Sequence, residues 1–306
     1  MSGLPFPCLK VLRVTSLRQL IPLLSEINDC KRLHRAGFSG SLADQWFRSA
    51  WAGLVAGEET ALRVTAHVVA NARLGGIDRK VLQHARLDAP EITAILQRSF
   101  DAVSTEINLE LCAQLRQELP FDLPEGEVPE FAHQLCDQPR AGATRPGRPR
   151  MVLLPVESHG GHCLVVAVYA VLLAPYFKAS PVIPFFAALA HHLHNAVMPD
   201  GGFTGEEMLG AHLEPVIRTF REEALAQLEE KLGDLLRNAL AATASAATPE
   251  GKAFHAADVI DRVLQMKWYE GAANFHLGMA LEDMELVHAG PVQAFHRDTL
   301  RDAGLW

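Results

Sequence analysis

The stretch from Ala187 to Gly202, AALAHHLHNAVMPDGG, constrains this chain more than any other. It places His191, His192 and His194 within one helical turn of a segment apolar enough to be buried. Buried polar atoms need partners, and three imidazoles in one turn gain nothing in packing over Leu or Ala. Neutral imidazole is also the commonest side-chain metal ligand. Glu157, His159 and His162 in ESHGGHC stand upstream, and His212, His255 and Asp258 stand downstream. Ten of the fourteen histidines follow residue 158, which puts the chemistry in the C-terminal half.

The rest of the chain reads as helix after helix. Leu17, Leu20, Ile21, Leu24 and Ile27 recur at helical spacing in SLRQLIPLLSEINDCKRL. Ser41 is a candidate cap for SLADQWFRSAWAGLVAG, which ends on Gly57, and EETALRVTAHVVANARLGG closes on Gly75 and Gly76. PEITAILQRSFDAVSTEINLELCAQLRQEL reads as one long helix or two. Pro120, Pro124, Pro129, Pro139, Pro146 and Pro149 cannot share one helix, so the rhythm breaks there. Downstream come HCLVVAVYAVLLAPYF, PVIPFFAALAHHLHNAV, a stretch from Gly205 to Ala242, and KAFHAADVIDRVLQMKWYEGAANFHLGMALEDMELVH. TASAATPEG reads as a flexible loop, and MVLLPV as a short strand or an extended segment. The expected fold is all-α: an N-terminal helical region over 1–136, a Pro/Arg-rich linker over 137–150 and a C-terminal helical domain over 151–306.

Bulk properties exclude several functions. A net charge of −8 argues against a general nucleic-acid binder, which presents a basic face. The arginine-rich run RAGATRPGRPR carries Pro and Gly and reads as a solvated linker. Five scattered cysteines without a CxxC fit reduced thiols and a cytoplasmic protein. The longest apolar run, Cys163 to Phe177, is shorter than the ~18 residues a membrane span wants and is interrupted by Pro175. The expected partner is a small-molecule substrate, with neither nucleic acid nor membrane. HGG at His159–Gly161 has no G-x-S-x-G elbow to accompany it, and no phosphate-binding glycine loop is present.

The order of motifs resembles a known family. HCLVVAVYAVLLA looks like the helix that opens the HD superfamily of metal-dependent phosphohydrolases. AALAHH stands where that family has A-L-L-H-D, and KAFHAADVIDRV is similar to its closing helix. The likeness spans residues 157 to 265, roughly a third of the chain. It implies His162, His191 and Asp258 as metal ligands. His212, in GAHLEPVI, falls where two-metal members have an additional ligand. His192 stands in place of the doublet's Asp, and we take it as both ligand and catalytic residue, with Asp200 as the second catalytic candidate. Imidazole cannot bridge two ions as a carboxylate does, so a mononuclear, histidine-rich site is expected unless Asp200 or Glu157 bridges. The donor set suits iron, manganese or zinc. Hydrolysis of a phosphate ester or related small anion is the leading expectation. An HD-type iron-dependent oxygenase and a non-catalytic interaction or regulatory protein are the alternatives. Arg218, Arg221, Arg262 and Lys267 are candidates to meet an anion.

Overall fold

A computed structural model describes residues 16–272 and 276–306. Among these residues there are fourteen α-helices and no strand. The first seven are α1 (Leu17–Asp29), α2 (Leu42–Val55), α3 (Thr60–Asn71), α4 (Arg79–His84), α5 (Ala89–Val103), α6 (Leu109–Glu118) and α7 (Glu130–Asp137). Then follow α8 (His159–Phe177), α9 (Val182–Ala190), α10 (Gly202–Leu209), α11 (Leu213–Leu225), α12 (Glu230–Ala242), α13 (Pro249–Ala272) and α14 (Gln293–Asp302).

Helix α8 organises the molecule. Every residue from His159 to Ala174 is buried, so the helix has no solvent face and must be surrounded. Helices α2, α7, α9 and α13 pack around it, and α1 and α3 reach it as well. It is long and apolar enough to cross a membrane, yet 83% of its apolar window is covered by other parts of the chain. Pro175 lies in its last turn and does not stop it before Phe177. Ser158 caps the N-terminus by accepting from the Gly161 N–H at 2.9 Å. Gly160 permits the close approach there. A Cβ at that position would come within 2.6 Å of Cys136 Sγ on α7 and 3.1 Å of Phe47 on α2. This packing fixes His159 and His162 in the first turn of α8.

The N-terminal helices share this core. Buried residues from Leu17 to Leu305 form one hydrophobic cluster, so the segments on either side of 137–150 are packed together. Leu17, Leu20, Leu24 and Ile27 are the buried stripe of α1, which contacts α8 and α13. The Tyr169 hydroxyl, on α8, donates to the Leu24 carbonyl.

Several local expectations change. PEIT…REL is two helices, α5 and α6. The stretch from Gly205 to Ala242 is spread over α10, α11 and α12. Residues 137–150 are tied back to the chain that follows by backbone bonds, while 146–150 are exposed. Arg140 N–H donates to the Glu157 carbonyl at 2.8 Å, and Ala143 and Met151 exchange bonds at 3.0 and 2.9 Å. Gly142 adopts φ +73°, and a Cβ there would fall 2.1 Å from the Met151 carbonyl oxygen. MVLLPV forms no strand: it carries an isolated bridge at Met151 and bends at Leu154 and Pro155.

Candidate metal centre

Three elements supply the imidazoles and carboxylates. His162 comes from the first turn of α8. His191 and His192 stand where α9 ends and a tight 3-10 turn, Leu193–Ala196, begins. Asp258 and Asp261 are three residues apart on α13 and so share a face.

One ring nitrogen from each of His162, His191 and His192 lies within 4.8 Å of the others. Hydrogen bonding fixes what two of these nitrogens present. His162 Nδ1 is 2.7 Å from Asp261 Oδ2, and His191 Nδ1 is 2.6 Å from the Ala188 carbonyl oxygen. An ionised carboxylate and a carbonyl only accept, so each Nδ1 carries a hydrogen, and in the neutral form of each ring the lone pair is on Nε2. The two Nε2 atoms face each other at 3.3 Å. Asp258 Oδ1 lies 3.3 Å from the same His162 nitrogen. Two nitrogens each about 2.0 Å from a tetrahedrally bound ion stand about 3.3 Å apart, so the spacing fits a shared cation. Burial lowers the His191 pKa to about 3, with neighbouring His162 adding to the effect. Burial keeps His192 neutral in the same way, and neutral imidazole is the form that ligates. Asp258 stays ionised although burial opposes it, because His162 and Arg262 offset the desolvation.

His192 is differently occupied. Its Nδ1 lies 2.9 Å from Asn195 Oδ1, and its Nε2 is 3.2 Å from an Arg140 guanidinium nitrogen. With Nδ1 donating, the Nε2 lone pair accepts from Arg140. A metal bound there would displace that guanidinium.

Behind His162 lies a second group of possible ligands, Glu157, His162 and Asp261, and it is filled by an ammonium. Lys31, only 8% exposed, places Nζ 2.8 and 3.0 Å from the two Asp261 oxygens. It also donates to Glu157. Asn28 donates to Asp261 at 2.9 Å, and Arg140 Nε lies 3.2 Å from Glu157. Burial raises the pKa of both carboxyls, but the cations outweigh it: Lys31 and His162 lower Asp261, while Lys31 and Arg140 lower Glu157. The result is a chain of contacts, Lys31 to Asp261 to His162, that holds the imidazole's orientation.

A cavity of about 370 Å³ opens onto this cluster. His191, His192 and Asp258 line it together with Arg140, Arg262 and Glu206. Asp200 also lines it, accepting from the Ala141 and Gly202 N–H groups at 2.8 Å each. His159 Nε2 is 3.3 Å from Asp200. Burial raises the Asp200 pKa, yet His159, Arg140 and the Ala141 N–H hold it well below the usual carboxylate range. A larger groove of about 870 Å³, lined by residues such as Leu54, Phe186 and Leu232, carries no imidazole.

The structure thus gathers His162, His191 and His192, with Asp258 beside His162. It does not bring His212 to them: that residue is exposed on a 3-10 turn, Gly210–His212, and does not line the cavity. His255 lines the cavity wall, and His194 is buried with its ring 5.7 Å from that of His192. Lys31 and Arg140 were not anticipated, and nothing in their local sequence marks them. Asp261 was legible as the second Asp of KAFHAADVIDRV, but not the bond it makes.

No curated protein and no solved structure matches the chain. A family model described as HD domain matches residues 132–297, which is more than half of the chain and takes in every imidazole and carboxylate of the cluster. The gathered histidines and Asp258 are held by the segment so matched, and the chain belongs to the HD domain family.

Proposed function

We propose that this protein is a metal-dependent hydrolase acting on a small phosphate ester. The observation that carries the reading is the pair of Nε2 atoms, of His162 and His191, facing each other at 3.3 Å beside a cavity that also presents two guanidinium groups. A divalent ion held by His162, His191 and Asp258 supplies Lewis acidity toward a phosphate oxygen and makes water a stronger nucleophile. Arg140 and Arg262 pair with the anionic group and orient it. Arg140 leaves His192 as it does so, which frees His192 Nε2 to ligate or to accept a proton. Burial, with Asp200 next in effect, raises the Glu206 pKa. Glu206 lines the cavity and is the carboxyl placed to deliver a proton to the departing alkoxide. Asp200 is too weak a base for that chemistry. Its bonds to Ala141 and Gly202 anchor the 141–144 segment against the cavity.

A second reading has its own support. Histidine nitrogens with one carboxylate and open positions also suit non-haem iron that activates dioxygen. The discriminating experiment combines a metal count with two assays. Purified protein should carry one iron, manganese or zinc ion per chain and release phosphate from a panel of phosphomonoesters, with turnover lost in Glu206→Gln. Metal-loaded protein that hydrolyses none of the panel, or that holds two closely spaced irons and consumes oxygen, would overturn the hydrolase reading in favour of the second.

A further inference from the structure

A second cavity, of about 230 Å³, lies in the N-terminal helices, outside the segment that the family model matches. It is bounded by α2 through Gln45, Trp46 and Arg48, by α3 through His67, and by the start of α4 through Arg79.

Its polar lining has an unusual one-sidedness. Gln45 Nε2, Arg48 Nε, His67 Nε2 and Arg79 Nε are all buried with no hydrogen-bond partner among the described residues. These four make up one third of the orphaned buried side-chain atoms in the described chain, and all line this one cavity. No oxygen lining the cavity is orphaned in that way. Three of the four are obligate donors, and the fourth, an imidazole nitrogen, donates in one tautomer.

The guanidinium groups are held in place by other bonds. Arg48 donates to the Ser39 carbonyl at 3.2 Å, and Arg79 donates to the Leu119 carbonyl at 2.8 Å. The Arg79 side chain is only 7% exposed, and the one carboxylate near its Nε, on Asp122, stands at 3.5 Å outside hydrogen-bond geometry. Arg35, Arg48, Arg79 and Lys80 face two lining carboxylates, Asp78 and Asp122, and Lys80 is also paired with Glu125 outside the lining. Asp78 is already bonded to Arg35 at 2.7 Å and to the Val81 N–H at 3.0 Å. Four buried donors with a cationic surplus call for an acceptor that carries negative charge. The volume admits a small ion or the end of a small metabolite, below the usual range of a drug-sized site.

We propose that this cavity binds a small oxyanion, either phosphate or the carboxylate of a small metabolite. The proposal does not depend on the metal centre or on the hydrolase reading. A ligand that binds only the native state raises apparent stability in proportion to its saturation. Thermal unfolding is followed in inorganic phosphate and in succinate, at constant ionic strength set with chloride. A saturable rise in Tm is expected with at least one of them, and the arm that responds identifies the group. The double variant Gln45→Met, Arg48→Met should raise the half-saturating concentration at least tenfold, while its own unliganded Tm stays close to that of the parent, the removal of two orphaned donors offsetting the lost Arg48–Ser39 bond. Gln45→Met alone, which keeps both guanidinium groups, should raise it severalfold. The metal-centre variant Asp258→Asn should keep the full response. No saturable rise with either anion, a rise unchanged in both Gln45 variants, or one abolished by Asp258→Asn would overturn the proposal.

Discussion

The two buried polar clusters of this protein are opposite in what they lack. Around His162 and His191 the surplus is lone pairs: Asp261 and the Ala188 carbonyl hold the Nδ1 hydrogens and leave two Nε2 acceptors face to face. Around Gln45, Arg48, His67 and Arg79 the surplus is N–H donors. Burial acts alike in both places, lowering the His191 pKa to about 3 and the His67 pKa to about 4. The neighbours make the difference. A carboxylate beside an imidazole turns its far nitrogen into a cation ligand, whereas guanidinium groups around one turn the space into an anion site. The chemical sign of a buried imidazole is thus set by what its partners already satisfy.

The sharpest way to break this contrast is to remove imidazoles from each cluster in turn. His191→Ala or Asp258→Ala should abolish metal retention, a loss of more than ~100-fold in affinity, exceeding what an outer partner of a ligand costs. His67→Ala and His296→Ala should leave metal content unchanged by elemental analysis. Full metal occupancy in His191→Ala would show that the facing nitrogens are a packing accident.

Next in size is Lys31→Met, which keeps the aliphatic length and removes the ammonium between two buried carboxylates. Breaking one side of a buried ion pair costs about 3–5 kcal/mol, to be read by urea unfolding. Because Asp261 then loses its countercharge, metal affinity should also fall by about 10- to 100-fold. Lys31→Arg should recover part of the metal affinity. A variant of unchanged stability would mean that the ammonium holds nothing together.

The smallest effect per residue is that of pH. In the folded chain burial lowers His67, His159 and His296 to about 4, against about 6.5 for an exposed imidazole. Between those values the unfolded chain binds protons that the folded chain refuses. Stability must therefore fall as pH drops from about 6.5 toward 4, and it is fully present above 6.5. Unfolding free energy of metal-free protein measured across this window should show that slope, and His67→Gln should flatten it by up to one proton's worth. A flat profile would show that these imidazoles are hydrated.

Much of the fold was legible because helices are local. The stripe of Leu17, Leu20, Leu24 and Ile27, and the cap at Ser41, are written within a few residues, and α1 and α2 follow from them. HCLVVAVYAVLLA announces a helix apolar on every side, and the buried α8 is what that pattern demands. The fastening of segment 137–150 was not legible, for the converse reason. Its Pro, Gly and Arg content describes a solvated chain, but the bonds that fasten it, Arg140 to Glu157 and Ala143 to Met151, involve partners further along the chain. His212 looked like a ligand by its place in the motif order, and the turn at Gly210 leaves it exposed.

The amino-acid sequence alone determined an all-helical chain, a largely apolar turn with His191 and His192 in it, and the succession of His162, that turn and Asp258. Those are matters of period and order, which neighbouring residues encode. Only the tertiary structure decided which nitrogen of each imidazole is free, that Lys31 reaches across 230 residues to Asp261, and that Arg140 covers His192. It also decided that four unsatisfied donors from three helices meet in one N-terminal cavity. Hydrogen bonds and ion pairs act over a few ångströms, and which groups come within that distance depends on how the whole core packs rather than on any local run of residues.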